Sequence, residues 1–196
     1  MWALVEDNAI TKIINNPKAM VIGDVRHSRN IFSFRWTNEE REAIGLYEIV
    51  FDNSNKRDEA YYTNTNQSFD FADGVATASF GSATAKELDD VTNEDGIVTD
   101  GLKTKHKKII KNQASGLLEP TDWYNHKALD DETFTIPANI TTYRANVRTK
   151  SNTMETAIDN AADVDALAAL YEYVNTGTEE NPVMERPLGE WPVLEV

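Results

Sequence analysis

The amino-acid sequence predicts an α+β protein: a small antiparallel β-sheet module with one short helix, followed by a helical segment and an extended C-terminal tail. Three observations predict it. Short apolar runs of period two, separated by turns bearing Asn, Asp and Gly, fill residues 1–83. From about Thr84 apolar residues recur at helical spacing instead. Beyond Asn175 the chain is punctuated by Gly177, Pro182, Pro187, Gly189 and Pro192, which favours neither helix nor central strand. The expected parts are a β-rich anchoring module over 1–83, a helical domain over 84–174 and a docking tail over 175–196.

In chain order, Trp2–Val5 and Ile10–Ile14 flank Asp7-Asn8 as a hairpin. A second pair runs through Ala19–Ile22, turns at Gly23-Asp24 and returns through Val25 toward Ile31-Phe32. Thr37-Asn38-Glu39-Glu40 has the Ser/Thr-x-x-Glu form of a capping box, and Gly45 ends the short helix it opens. Leu46–Phe51, Ala60–Thr63 and Ser68–Phe71 read as strands, with Ala72-Asp73-Gly74 turning the chain into Val75–Phe80. Such a short sheet is expected to leave open edges, to which a partner strand can add.

Within the helical part, Ile97, Val98, Leu102, Ile109, Ile110, Leu117 and Leu118 predict one helix, ended by Pro120. Pro137 restarts the chain in a first helical turn, and Ile140, Tyr143 and Val147 share a stripe. Lys150-Ser151-Asn152 reads as a break before Met154, Ile158 and Ala161. Asp163 caps a last segment carrying Val164, Leu167, Leu170, Tyr171 and Val174. Antiparallel helices with short connections follow from this pattern.

Composition narrows the function. Against 19 Lys and Arg stand 33 Asp and Glu, a net charge of −14, so a phosphate backbone would be repelled and no nucleic-acid partner is expected. No run of 18 apolar residues is present, so no membrane span is expected. Met1–Asp7 has neither a basic start nor an apolar stretch, so no signal peptide is expected. Without cysteine, disulfides, thiolate catalysis and thiolate metal sites are excluded.

Searches for chemistry find little. His27, His106 and His126 lack the spacing of a zinc site, and no nucleophile elbow or phosphate loop occurs. Asp52–Asn55 begins like a calcium loop, but Lys56, Arg57 and Thr63 stand where ligands and glycine belong. The acid clusters Asp89-Asp90 and Asp130–Glu132 read as solvated loops, and His106 as a solvated helix residue. Trp123, Tyr124, Tyr143, Tyr171 and Tyr173 read as core rather than a sugar platform. No catalytic residue, metal ligand or cofactor site is expected.

What remains is contact chemistry. Lys103, Lys105, Lys107, Lys108 and Lys111 form a basic helix face, while beyond Glu155 the only basic residue is Arg186. Complementary faces on one chain suit an intramolecular contact, the simpler expectation, or head-to-tail packing between copies. The tail brings Met184, Leu188 and Trp191, anchors able to dock on the same chain or on a neighbour. These lysines and tail residues are the expected partner-binding set.

One resemblance gives the set a context. Pro120-Thr121-Asp122-Trp123-Tyr124, then Ile136-Pro137, Tyr143-Arg144 and Val147-Arg148, resembles a domain of tailed-bacteriophage virion proteins of the tail-fibre-assembly type. There Thr-Asp-Trp, Pro and Tyr-Arg-x-x-x-Arg recur in that order. Met1–Glu6 and Ala60–Asn66 resemble marine phage structural proteins of the same layout, so the likeness covers roughly 1–80 and 115–174. Asn125–Thr135 departs from it, with more acids and less glycine. The resemblance implies a non-enzymatic structural component of a virion, made in the host cytoplasm, in the tail, baseplate or fibre-attachment region. Its partners would be other tail or fibre proteins and further copies of itself. A fibre-assembly chaperone is the alternative, and a host-glycan receptor-binding module the third. Thr121-Asp122 are expected to cap a turn seating Trp123, with Asp122, Asp130 and Asp131 available to Arg144 and Arg148.

Overall fold

Asp7 and Asn8 both hold positive φ, 51° and 62°. Two consecutive left-handed residues make the tight turn that suits a two-residue hairpin, and short polar side chains tolerate that conformation. The turn joins β1 (Trp2–Glu6) to β2 (Ala9–Ile14), whose register runs from Trp2 opposite Ile14 to Leu4 opposite Lys12, shifts by one residue at Thr11, and resumes with Val5 opposite Ile10 and Glu6 opposite Ala9. The computed structural model describes residues 1–195 and divides them into two compact units, 1–84 and the remainder from 85.

In the first unit, β3 (Met20–Ile22) and β4 (Val25–His27) form a second hairpin, and a 3-10 turn covers Arg29–Phe32. Helix α1 (Asn38–Glu42) opens on the expected capping box: Thr37 Oγ1 accepts from Glu40 N–H, and Glu40 Oε2 accepts from Thr37 N–H. Gly45 follows at φ +77°, and its carbonyl accepts from Val5 N–H at 2.8 Å. A β-carbon there would stand 2.5 Å from Val5 O, so the chain passes β1 too closely for any side chain. Gly45→Ala combines that clash with a left-handed backbone, and should cost about 2 kcal/mol or more in urea unfolding. A loss below about 0.5 kcal/mol would mean that the approach is easily relaxed.

Strands β5 (Leu46–Asp52), β6 (Tyr62–Thr63), β7 (Ser68–Ala72), β8 (Val75–Ser79) and β9 (Thr84–Ala85) follow. The main sheet has the order β2-β1-β5-β8-β7. The first half of β5 pairs antiparallel with β1, and its second half pairs parallel with β8, from Ile49 opposite Ala76 to Asp52 opposite Ser79. The purely antiparallel expectation is thus corrected to a mixed sheet. The cause is insertion: β7 reverses the chain and β8 reverses it again, so β8 runs along β5 when it is placed beside it.

Both faces of β1 are covered. Ala3 and Val5 join Ile49, Ala76 and Ala78 in one core, with Ile10, Ile13, Tyr47 and Phe71 packed on it. Leu4 joins Ile14, Ile31 and Leu46 in the other, beneath Trp2, Met20, Phe32 and Trp36. Because Ile10 and Ile13 of β2 and Phe71 of β7 pack on one core, the two edge strands curl toward each other. The expected strand at Ala60–Thr63 shortens to β6, since Tyr61 and Tyr62 both donate to Asp58 O in a turn.

The second unit opens not as helix but as a hairpin of β10 (Val91–Thr92) and β11 (Val98–Thr99). Ile97 and Val98 are exposed there, a correction to their expected helical role. Asn93 sets the turn, its side-chain oxygen accepting from Asp95 and Ile97 N–H, with Gly96 at φ +78°. Helix α2 (Leu102–Leu118) begins after Gly101, and a 3-10 turn, Glu119–Thr121, carries Pro120 into α3 (Asp122–Asp130). Helix α4 (Ala138–Asp159) has Pro137 just before its first turn and runs unbroken through Lys150–Asn152. Its buried row is Ile140, Tyr143, Val147, Ser151, Met154 and Ile158, in which Ser151 fills an inward slot; hence no break. Helix α5 (Val164–Ala169) opens on Asp163, whose side chain accepts from Ala166 N–H at 2.8 Å. It is shorter than expected, for Val174 belongs to β12 (Val174–Asn175), which pairs with β13 (Met184–Glu185).

Candidate partner-binding surfaces

The basic face of α2 meets the chain's own acids. Lys103 pairs with Asp89 at 3.2 Å, Lys107 with Asp159 at 2.7 Å, Lys111 with Glu155 at 3.3 Å, and Lys108 with Asp100. The hydrogen bond that Lys107 donates to Asp159 holds its ammonium pKa above the usual lysine range. Lys107 and Lys111 therefore bind α2 along α4. Lys105 is exposed. Of the two expectations for this face, the intramolecular contact is the one observed. As a partner surface the cluster is corrected to a set of pairs, each modest because its members are partly solvated.

The tail docks on its own unit as well. Leu188 is 3% exposed and its N–H donates to Leu170 O at 2.9 Å. Trp191 and Leu194 pack on Ala114, Tyr143 and Val147, and Trp191 Nε1–H donates to Gln113 Oε1 at 3.1 Å. Leu188 and Trp191 are thus core anchors rather than partner anchors. Met184 alone of the three expected tail residues is exposed, beside Val183. Removing 182–196 would uncover this core, so the truncation tests stability before it tests binding.

Four residues of the signature, Thr121, Asp122, Tyr143 and Arg144, converge on the joint between α2 and α3. Arg144, 7% exposed, donates through Nη1 to Leu118 O at 3.0 Å and to Thr121 Oγ1 at 2.5 Å. Its Nη2 pairs with Asp122 at 2.7 Å, and Thr121 Oγ1 donates in turn to Leu118 O. Tyr143 Oη–H donates to Leu117 O. A helix end leaves carbonyls without intrahelical partners, and α4 supplies donors to them. Thr121 thus binds backwards to Leu118 O and makes no side-chain cap on α3. Trp123 is half exposed, which corrects its expected core role. It stacks on Tyr124 at 3.8 Å between centroids, with Phe134 at 6.3 Å and Lys127 over the Phe134 ring. Leu129 nearby is 81% exposed.

His106 also departs from expectation. It is half buried against Tyr171, ring centroids 4.8 Å apart, and burial pushes its pKa below the ordinary histidine value. A lowered folded pKa means that the unfolded chain takes up the proton first. Stability from this site is therefore whole above about pH 6.5 and is lost as the pH falls below it. His106→Gln should flatten the fall in stability between pH 7.5 and 5.5, measured by denaturant unfolding at both. An unchanged slope would assign the acid sensitivity elsewhere.

Two features escaped the sequence reading. Arg41 is buried in the first unit, and its signal was only its place after the capping box. One exposed row of α4, Thr142, Asn146, Thr149, Thr153 and Thr156, carries no charge, a pattern readable as Thr and Asn recurring every three or four residues. Among the described residues no cluster of three or more His, Asp or Glu side chains is arranged to hold a metal ion, and no helix is long and apolar enough to cross a membrane. No protein-family model matches the chain, and neither a curated protein nor a solved structure matches it.

Proposed function

We propose that this chain is a non-enzymatic structural component of a tailed-phage virion, in the tail, baseplate or fibre-attachment region, acting through protein–protein contacts. The observation that supports it best is the use made of the signature residues. Thr121, Asp122, Tyr143 and Arg144 hold a helix joint together, so the pattern that carries the resemblance marks a shared scaffold rather than a reaction centre. Exposed apolar side chains such as Phe34 and Leu129 add contact chemistry to that scaffold.

The test is quantitative mass spectrometry of gradient-purified particles, counting peptides of this chain against the major capsid protein. A fixed small multiple of three or six per particle is expected. Absence from particles together with abundance in infected-cell lysate would replace this reading with that of an assembly chaperone.

A further inference from the structure

We propose that a basic face of the first unit, centred on Phe34, docks an acidic protein partner, one whose apolar pocket is rimmed by Asp and Glu. Residues 12–36 hold Lys12, Lys18, Arg26, Arg29 and Arg35 against a single acid, Asp24. That is a net charge of +4, so the rest of the chain carries −18. Among the described residues none of these five pairs with a carboxylate, whereas four lysines of α2, Arg144 and Arg186 all do. In a chain so rich in acids, cations left unpaired together are complementary to carboxylates brought from outside.

The fold gathers these residues. Met20 and Ile22 of β3 pack on the same core as Phe32 and Trp36, so the β3–β4 hairpin and the segment 29–36 lie over one core. Val21 and Arg26, opposite each other in the hairpin, are then turned outward, and both are exposed. His27 meets the Trp36 ring edge-on at 6.1 Å, which sets the hairpin beside that segment. Phe34 stands out from it at 93% exposed, with Arg35 next to it in the chain. Its backbone is pinned: Arg41 donates to Ile31 O and Ser33 O, and Ser33 Oγ donates to Asn30 O at 2.7 Å. An aromatic anchor held on a fixed segment among arginines has the make-up of a binding hot spot. Lys12 and Lys18 border a hollow of about 150 Å³ together with Ile13 and Met20. It suits one acidic side chain, its stem on the apolar wall and its carboxylate toward the ammonium groups.

The surroundings select among anions. Glu39, Glu40 and Glu42 of α1 follow Arg35 closely, and Glu6 and Asp7 precede Lys12, so acids bound the basic stretch on both sides in the chain. A phosphate backbone is charged along its whole length, and an anionic membrane over its whole plane. Either would be carried onto those acids and onto a chain of −14. A second copy brings another −14. A different protein can confine its carboxylates to one patch and place an apolar pocket for Phe34 at the centre.

That the partner is a tail or fibre protein rests on the proposed structural role; docking itself is tested on the isolated full chain, so the two can fail separately. The probe is the tightest peptide selected on the wild-type chain from a displayed random library. It should combine Asp or Glu with a large apolar residue, and its binding should weaken steeply as salt is raised. Phe34→Ser and Arg29→Glu/Arg35→Glu should each weaken it about tenfold or more. Lys105→Glu, which removes an exposed cation in the second unit, should change it by about twofold at most. All the substituted side chains are exposed, so circular dichroism and urea unfolding should match the wild type. A selected peptide without acids, or one that Phe34→Ser binds as tightly as the wild type does, would overturn the proposal. So would tighter binding of oligothymidylate or of phosphatidylserine vesicles through the same residues, or self-association in sedimentation equilibrium that Phe34→Ser abolishes. Those results would give the face to a nucleic acid, a membrane or a second copy.

Discussion

Replacing Arg144 with alanine is expected to destabilise the second unit by about 3 kcal/mol, the scale for removing one member of a buried, hydrogen-bonded charged pair. One guanidinium holds Leu118 O, Thr121 Oγ1 and Asp122 together. Asp122 is half exposed and its charge can be resolvated, so the ion pair supplies the smaller share. The larger share is the Leu118 carbonyl at the end of α2, which would keep only the Thr121 hydroxyl. Charge alone does not replace the fork, because a lysine ammonium is a point donor that cannot span both oxygens and the carboxylate. Arg144→Lys should therefore recover less than half of the loss. Urea unfolding followed by far-ultraviolet circular dichroism measures both variants. Two variants within about 0.5 kcal/mol of the natural chain would show that the joint is held by apolar packing instead.

Arg41→Ala should produce a loss of similar size, about 3 kcal/mol, in the first unit. Arg41 Nε donates to Ile31 O at 2.8 Å, Nη1 to Asn38 Oδ1 at 2.9 Å and Nη2 to Ser33 O at 2.5 Å. Its guanidinium also lies 4.9 Å from the centre of the Trp2 ring. Through these bonds a single side chain ties the irregular segment 29–35, which has little backbone pairing of its own, to α1 and to β1. Loss of the guanidinium leaves two buried-side carbonyls without their donor. Hydrogen exchange should accelerate first at Ile31 and Ser33, whose amides bond only locally, to Ser28 O and Asn30 O. Tryptophan emission should shift to the red as Trp2 and Trp36 gain water. Unaltered exchange over 29–36 would contradict this role.

Arg41 shows what kind of residue a linear reading overlooks, whereas Arg144 is marked by the Tyr-Arg signature and pairs with Asp122, one of the acids expected for it. Arg41 stands on a helix among other polar residues, and nothing in its neighbours distinguishes it from a solvated charge. Two of its partners, and one of those of Arg144, are carbonyl oxygens up to 26 residues away, and a carbonyl is the same in every residue. The lysines of α2 present the converse case. They are conspicuous in sequence, and the structure pairs four of them with carboxylates of the same chain. Conspicuous charge is a poor guide to an interface, because charge that is easy to see is also easy to pair.

Local chemistry was legible in much of the chain, though not in the Asn93 turn of the β10–β11 hairpin or in the cap expected of Thr121. The Asp7-Asn8 hairpin, the Thr37–Glu40 capping box, the Asp73-Gly74 turn and the Asp163 cap each depend on residues within four positions of one another, and sequence by itself determined them. So did the inward rows of the strands and of α4, which follow from periods of two and 3.6. Tertiary structure alone decided the direction of β8 beside β5, the continuity of α4 through Ser151, and the docking of Leu188 and Trp191 on their own unit. Each of these turns on a partner distant in sequence. An alternating strand fits a parallel or an antiparallel neighbour equally well, and a serine fits a core slot or a break. An apolar tail fits any apolar groove within reach, so which contact forms is settled by where the rest of the chain has been placed.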